Sequence, residues 1–287
     1  MDDVLAQLKF LNQNLQRLIA FVIPAPDPGI FDEFTAFRAF SQNGRLNIRG
    51  IAGPDPVRFN ELRGIAATIK RLRENTEQFL RGIPCSNVLL YGPGGTGKSS
   101  AIKAALNEYS GGGLRMIEVP RDMLSYLFDI SEIIRGRSEK FIIFCDDLSF
   151  EEEESSYRQL KTVLEGGLEV KPKNMLIYAT SNRRHLMPEK ARDNQPVYSN
   201  GELHPSETLE EKLSLSDRFG LRLGLFHFDM ETYLDIVCNY ATLRNVAMDI
   251  DKLKAGAVQW ALSHGNYSGR TARQFIDDLE GHLKLGI

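Results

Sequence analysis

The sequence predicts an α/β protein with three layers, in which helices cover both faces of a mainly parallel, five-stranded sheet. Five short apolar runs without polar alternation support this prediction, because strands buried on both faces of a parallel sheet have that composition. Segments with helical periodicity separate the runs, as the crossover connections of a parallel sheet require. The runs are residues 88–91, 114–119, 141–145, 175–179 and 223–228.

The segments before the first run are predicted to be mostly helical. Residues 1–22 place apolar side chains at alternating steps of three and four, which predicts an amphipathic helix that packs either on its own domain or on another chain. The breaker cluster "PAPDPG" ends it, and a short second helix follows with Phe31, Phe34, Phe37 and Phe40 on one side. We expect residues 41–59 to form a loop with one short strand, and residues 60–82 to return to a helix.

Strand signals cease after residue 228, and helical periodicity covers residues 230–244, 249–263 and 269–284. A small C-terminal helical domain is the simplest interpretation. The predicted organisation is therefore an N-terminal helical extension and linker over 1–50, an α/β domain over 51–228 and a helical lid over 229–287. A long polar insertion at 187–208 is predicted to be a mobile loop.

Composition excludes several classes of protein. The formal charge is -3, with 35 basic and 38 acidic residues, so there is no overall electrostatic bias toward nucleic acid or an anionic membrane. Three cysteines lie too far apart in sequence for a four-ligand metal site, and their odd number argues against a disulfide framework. The acidic start and the lack of a membrane-length apolar run predict a cytoplasmic protein without a membrane span.

The stretch "LLYGPGGTGKSS" matches the phosphate-loop pattern G-x-x-x-x-G-K-[ST] between a predicted strand and a predicted helix. Glycines let successive backbone N–H groups turn toward phosphate oxygens, Lys98 reaches the β and γ phosphates, and Ser99 offers a hydroxyl ligand to Mg²⁺. The loop predicts binding of a nucleoside triphosphate. Its candidate binding residues are Gly92, Pro93, Gly94, Gly95, Thr96, Gly97, Lys98, Ser99 and Ser100.

Polar residues follow two other predicted strands. In "FIIFCDDLSF", Asp146 is the candidate Mg²⁺ ligand, and Asp147 is the candidate group that orients or deprotonates the attacking water. In "IYATSNRR", Asn182 is a candidate hydrogen-bonding partner for the γ-phosphate or the water. We expect these three side chains to lie beside the phosphate loop, because the carboxyl ends of parallel strands meet at one edge of a sheet.

Three arginines are candidates for contacts with the phosphates. Arg218, just before the last strand, is placed to enter the site of a neighbouring subunit, or else to form a surface ion pair with Asp217 or Glu211. Arg270 begins the last predicted helix and is the favoured lid residue to reach the phosphates, with Arg273 on the same helix face as the alternative.

The motifs "GPGGTGKSS", "IIFCDD", "ATSN", "SDRFG" and "SGRTAR", in that order, resemble those of the AAA+ ATPases over about residues 55–287. Longer stretches, such as "CDDLSFEEEESSYRQLKTVLEGGLE", look like a bacterial AAA+ family known mainly as predicted ATPases of unassigned role. The resemblance implies a P-loop AAA+ core, ATP and Mg²⁺ as cofactors, and a ring or spiral of identical subunits such as a hexamer. It also implies the roles Walker A for residues 92–99, Walker B for Asp146 and Asp147, sensor 1 for Asn182, arginine finger for Arg218 and sensor 2 for Arg270.

One residue departs from the family pattern. Most AAA+ proteins carry Glu at the position of Asp147, and the shorter side chain moves the carboxylate back by about one methylene. The sequence therefore leaves three functions open. They are an ATPase that remodels an unknown macromolecular partner, a slow ATP-dependent switch that recruits a partner protein, and a DNA-associated helper of the helicase-loader type, which the acidic charge balance does not favour.

Overall fold

The computed structural model of the chain describes residues 5, 7–12, 14, 29–150, 155–165, 171–183, 186, 197–199, 202–204 and 215–285. Nine strands are found in this part of the chain. They are β1 (Ala36–Gln42), β2 (Arg45–Gly50), β3 (Val88–Tyr91), β4 (Leu114–Glu118), β5 (Lys140–Cys145), β6 (Met175–Ser181), β7 (Val197–Ser199), β8 (Glu202–His204) and β9 (Leu221–Gly224).

The helices whose bounds follow lie before β1 and between the strands from β2 to β6, and they follow one another after β9. They are α1 (Ile30–Glu33), α2 (Ala66–Leu80), α3 (Lys98–Tyr109), α4 (Leu127–Ile134), α5 (Ser155–Glu165), α6 (Met230–Leu243), α7 (Ile250–His264) and α8 (Gly269–Leu285). Short 3₁₀ helices lie at Phe59–Glu61, Ser110–Gly112 and Arg121–Tyr126. None of the helices in the described ranges has the length and hydropathy needed to cross a membrane.

The five predicted strands are all present, and they form the parallel centre of the main sheet. The strand order is β2-β1-β4-β5-β6-β3-β9, and only the β1–β2 pair is antiparallel. The last strand is the least accurately predicted, since β9 spans Leu221–Gly224 and not residues 223–228. In this order β3, which precedes the phosphate loop, lies between β6 and β9.

Two separate clusters of buried side chains confirm the three layers. Along β5, Phe141, Ile143 and Cys145 face one cluster, which α4 and α5 complete. Ile142 and Phe144 face the other, which includes side chains of α2 and α3. Alternate residues of one continuous apolar strand thus supply both cores, which is why the strand sequences show no polar alternation.

The predicted helix through Phe37 and Phe40 is wrong. Helix α1 ends at Glu33, and residues 36–50 form a β-hairpin whose first strand pairs in parallel with β4. Asn43 and Gly44 make the two-residue turn, with φ of 53° and 73°. Positive φ at both central residues is the requirement of the tight hairpin turn that Asn-Gly favours. The hairpin extends the five predicted strands to a seven-stranded sheet.

The three predicted C-terminal helices are present as α6, α7 and α8, and they share a third cluster of buried side chains that includes Tyr233, Ile236 and Ile276. The helix predicted over 60–82 is shorter than expected, because α2 begins at Ala66. Of the helix predicted over 1–22, residues 7–12 are helical and most of the remainder lies outside the described residues. In the insertion at 187–208, β7 and β8 form a small antiparallel pair.

Candidate nucleotide-binding site

A cleft of about 430 Å³ lies between the carboxyl edge of the main sheet and the C-terminal helices. The phosphate loop forms its floor, the Asp146–Asp147 turn and Asn182 form one wall, and α6 and the start of α8 form the opposite wall. Its lining residues are Glu61, Leu62, Arg63, Ile65, Gly94, Gly95, Thr96, Gly97, Lys98, Ser99, Ser100, Asp146, Asp147, Thr180, Asn182, Phe228, Ile236, Tyr240, Gly269, Arg270 and Arg273.

The phosphate loop connects β3 to α3 and depends on glycine backbone geometry. Gly92 has a φ of 137°, and a Cβ built there would lie 2.0 Å from the carbonyl oxygen of Leu225, so no other residue fits between the loop and the chain after β9. Gly97, with a φ of 94°, directly precedes the first residue of α3. The loop therefore delivers Lys98 and Ser99 to the positive end of a helix.

Lys98 is the centre of the site. Its side chain is buried, and its ammonium donates to the carbonyl oxygens of Gly92 and Pro93, each at 2.7 Å, and to Asn182 Oδ1 at 3.0 Å. Burial lowers the pKa of Lys98, while the negative charges of Asp147 and Asp146 act in the opposite direction. Three neutral acceptors thus hold a buried cation that an anionic oxygen in the cleft would bind more strongly.

Ser99 and Asp146 form a pair of hard oxygen donors beside Lys98. The Ser99 hydroxyl donates to Asp146 Oδ1 at 2.6 Å. Oxygen donors of this kind suit Mg²⁺, which is commonly held by one or two protein groups together with substrate phosphates and water. Within the described ranges no cluster of three or more His, Cys, Asp or Glu residues could hold a metal alone. The donor set therefore fits a cation that is shared with a phosphate.

Asp147 sits in an unusual backbone conformation. Its φ is 51°, which few residues other than glycine adopt. Its N–H donates to the Thr180 hydroxyl at 2.8 Å, and its Oδ1 accepts from the Asn182 amide at 2.7 Å. Asn182 therefore links Lys98 to Asp147, with its oxygen on the ammonium and its nitrogen on the carboxylate.

Helix α8 contributes two arginines to the cleft and touches the phosphate loop directly. Both Arg270 and Arg273 line the cleft, so the structure does not separate the favoured lid residue from the alternative. The charge of Arg270 reaches the ammonium of Lys98, whose pKa it helps to lower after the larger effect of burial. The N–H of Gly269, at the start of α8, donates to the carbonyl oxygen of Gly95 at 2.8 Å.

Sequence reasoning missed the apolar end of the cleft. Leu62, Ile65, Phe228, Ile236 and Tyr240 line it. In sequence these residues are indistinguishable from core positions of helices and strands, and only the approach of the lid to the segment before α2 brings them together. Burial raises the pKa of Tyr240, against the opposing charge of Arg273.

Gly92 and Pro93 do not line the described cleft, although their carbonyl oxygens accept from Lys98. The third predicted site residue that does not line it is Arg218. Its guanidinium donates to Glu165, the last residue of α5, and the bond from its Nε is 2.7 Å long. Asp217, one of the two alternative partners, forms an ion pair with Arg222. Glu211, the other alternative, lies outside the described residues.

Solved structures with a similar fold include several of RuvB from Thermotoga maritima. One of them, a point mutant, has 16% identity and a TM-score of 0.49, with 77% of this chain and 72% of that chain covered. A second point mutant has 14% identity and a TM-score of 0.47, and the structure titled as the Holliday junction branch migration motor has 14% and 0.46, both with the same coverage. At such identities a likeness concerns the fold alone.

Among curated proteins no relative of this chain is found. A family model described as "Protein of unknown function (DUF815)" matches residues 32–283, which is most of the sequence and includes the hairpin, the phosphate loop and the lid arginines. This chain is therefore a member of the DUF815 family.

Proposed function

We propose that this protein is a Mg²⁺-dependent ATPase that works as an oligomer to remodel a macromolecular partner. One observation carries the proposal: Lys98, Ser99, Asp146, Asp147 and Asn182 lie on one cleft, at the mouth of a phosphate loop and beneath two lid arginines. Those are the groups that phosphoryl transfer from a nucleoside triphosphate requires. In this proposal the nucleotide-binding domain ends at residue 228, and residues 229–287 are its lid.

The polar end of the cleft suits the triphosphate. Backbone N–H groups at the start of α3 and the Lys98 ammonium would bind the β and γ phosphates, and Arg270 or Arg273 would bind them from the lid. Ser99 and Asp146 would hold Mg²⁺, which neutralises charge on the phosphate oxygens when bound. The site therefore has cationic groups on two sides of the phosphates.

The apolar end suits the base. Leu62 and Ile65 on one side, and Ile236 and Tyr240 on the other, form a hydrophobic slot between the core and the lid. A planar purine would bury its faces there. Because the slot is built from both domains, base binding would hold the lid against the core.

Asp147 supports the chemical step in our proposal by orienting or deprotonating the attacking water. Its carboxylate already faces the site through its hydrogen bond from Asn182. A phosphate oxygen bound to the Lys98 ammonium would displace the side-chain oxygen of Asn182 from it. Asn182 could then form a hydrogen bond with the phosphate or the water. Binding of the γ-phosphate would therefore change the hydrogen bonds of Asn182, including the one that it donates to Asp147.

A second function is favoured by the identity of Asp147. Its carboxylate is one methylene shorter than the usual Glu, and Asn182 holds it in place, so the protein could be a switch in which ATP binding recruits a partner protein and hydrolysis is slow. Steady-state phosphate release distinguishes the two functions. A rate above about one per second, within the range of ordinary enzymes, would exclude the switch.

A DNA-associated helper is less well supported. Two arginines of α2 that could contribute to a nucleic-acid surface are already paired, Arg71 with Glu74 and Arg73 with Glu108. An arginine that is already paired with a carboxylate neutralises a DNA phosphate less well, so fewer counterions leave the DNA on binding. A filter-binding titration at low salt tests this alternative, and detectable affinity would revive it.

Oligomer formation and cytoplasmic location are also parts of the proposal. Arg218 points to Glu165 and not to the cleft, which is the position expected of a group that acts on a neighbour's site. The decisive experiment is calorimetric titration with an ATP analogue and Mg²⁺, followed by assays of phosphate release and of mass in solution with and without nucleotide. Absence of any binding heat together with absence of phosphate release would refute the ATPase.

A further inference from the structure

Thr180 is a residue of the cleft for which the motifs assign no role. It lies near the end of β6, opposite Leu90 of β3 and one residue beyond the last pair that β6 forms with β5. Its carbonyl oxygen accepts from the N–H of Leu148 at 2.7 Å. This backbone hydrogen bond therefore joins β6 to the turn that carries the two aspartates, at the residue that follows Asp147.

The Thr180 hydroxyl contacts both aspartates at once. It donates its single proton to Asp146 Oδ1 at 2.6 Å, and it accepts the N–H of Asp147 at 2.8 Å. A hydroxyl has one proton to give and two lone pairs to accept, so this arrangement fixes the direction of its O–H bond. Its side chain is 1% exposed, and water therefore cannot replace it.

These contacts close a chain of hydrogen bonds around the cleft. Lys98 donates to Asn182, Asn182 donates to Asp147, the Asp147 N–H donates to Thr180, and Thr180 donates to Asp146. Asp146 also accepts from Ser99, the residue after Lys98. In this series of hydrogen bonds, Thr180 is the link between Asp146 and Ser99, which would hold Mg²⁺, and Asp147, which would orient the water.

We propose that Thr180 is a positioning residue whose hydroxyl aims the Asp146 carboxylate at the metal and holds Asp147 in its left-handed conformation. The inference rests on the proposed function, because it concerns how the same site binds Mg²⁺ and nucleotide. The residues that orient a metal ligand commonly matter about 10-fold to 100-fold for metal affinity or activity. The hydrogen bond to the same hydroxyl also stabilises the positive φ of Asp147, which is uncommon outside glycine.

The test compares Thr180→Val with Thr180→Ser. Valine keeps the β-branched shape on a buried strand but removes the hydroxyl, whereas serine keeps the hydroxyl and loses only the methyl group. Ser181→Ala is the matched control, since Ser181 is equally buried and donates to the Leu148 carbonyl oxygen but contacts neither aspartate. Should Thr180→Val fail to fold, Thr180→Cys takes its place, because a thiol is a weak donor.

The measurement is the affinity for a non-hydrolysable ATP analogue by calorimetry, once with excess Mg²⁺ and once with EDTA. We expect Thr180→Val to lower the affinity gain from Mg²⁺ by about 10-fold or more, and to keep the affinity in EDTA within about twofold. Thr180→Ser and Ser181→Ala should keep most of the gain. Phosphate release should fall in the same order.

Three outcomes would overturn this inference while leaving the nucleotide site intact. They are an unchanged Mg²⁺ gain in Thr180→Val, an equal loss in Thr180→Ser or Ser181→Ala, and a wild-type protein whose analogue binding is unaffected by Mg²⁺. By contrast, a wild-type protein that binds no analogue in either condition would refute the proposed function itself.

Discussion

Arginines at the start of α8 and at the turn before β9 were both predicted to act on phosphates, and the structure places them differently. Arg270 and Arg273 line the cleft of their own chain. Arg218 donates to Glu165 at the end of α5 and is not among the residues that line the described cleft. From the sequence, Arg270 or Arg273 was expected to reach the phosphates from the lid, and Arg218 was expected to enter the site of a neighbouring subunit.

Under the proposed function, the difference means that this chain supplies most of the ATPase site but not all of it. The cleft contains groups to bind a triphosphate and Mg²⁺, with its lid arginines in cis. If the finger assignment is right, the remaining cation must come from a neighbour. Mutations in the cleft should then lower nucleotide affinity. Mutation of Arg218 in the turn before β9 should lower the hydrolysis rate and leave nucleotide affinity nearly unchanged.

The largest effect is expected for Arg218→Ala. Phosphate release should fall by about 10³-fold to 10⁵-fold, the range known for arginine fingers, while nucleotide affinity stays within about threefold. The measurements are steady-state phosphate release and calorimetry. Arg222→Ala, which removes a nearby arginine that pairs with Asp217, is the control and should change neither. Equal losses of binding and turnover would mean that Arg218 serves folding.

Lys98→Ala should abolish binding, which is the opposite pattern. Truncating one partner of a buried charge pair costs about 2–5 kcal/mol, and Lys98 is the buried cation closest to the expected phosphates. The check is the loss of the rise in melting temperature that ATP and Mg²⁺ give the wild type. Lys103→Ala, on the same helix but paired with Asp55, should keep that rise. Retained binding in Lys98→Ala would contradict the phosphate assignment.

Arg270→Ala should have an intermediate effect and would distinguish the two lid arginines. A hydrogen bond to a charged group contributes about 1.5–3 kcal/mol, so loss of the phosphate contact should weaken ATP binding by about 10-fold to 100-fold. We expect a smaller loss for Arg273→Ala, the matched variant one helical turn away on α8. Calorimetry of both variants gives the comparison, and the reverse order would transfer the role to Arg273.

Glu165→Gln should give the smallest effect. The pair between Arg218 and Glu165 is partly exposed, and such pairs contribute less than about 1 kcal/mol. If Glu165 competes with a neighbour's nucleotide for Arg218, the protein concentration at half-maximal ATPase activity should fall by up to about fivefold. Glu132→Gln, which breaks the surface pair with Arg135, is the control. A rise in the protein concentration at half-maximal activity would show that Glu165 helps to orient Arg218 toward the neighbour's site.

The sequence allowed prediction of the parts of the fold that local chemistry dictates. The apolar strands and the phosphate loop each carry their own signal, so the central sheet and the helix start at Lys98 are present as expected. The hairpin at 36–50 was missed because Phe31, Phe34, Phe37 and Phe40 are spaced at three residues and imitate a helix face. The Asn43-Gly44 pair was the available signal, and it was interpreted as an irregular loop.

The missed features of the site depend on contacts between distant segments. The bond between Arg218 and Glu165 joins residues 53 positions apart, and that between Thr180 and Asp146 joins residues 34 apart. No local pattern marks Thr180, because threonine is common in strands. Its hydroxyl has a role only because the neighbouring strand β5 ends beside it, where Asp146 and Asp147 follow. The apolar lining of the cleft has the same origin, since Leu62 and Tyr240 both line it but lie far apart in the sequence.

The hydrogen bond from Gly269 to Gly95 has a mechanical consequence. Gly269 is the first residue of α8, a helix of 17 residues, so the phosphate loop touches the fixed end of a rod about 25 Å long. A rotation of about 10° at that end moves the other end by about 4 Å. A shift of the phosphate loop that rotates α8 by this amount would therefore move the far end of the helix far enough to alter its contacts with an adjoining molecule.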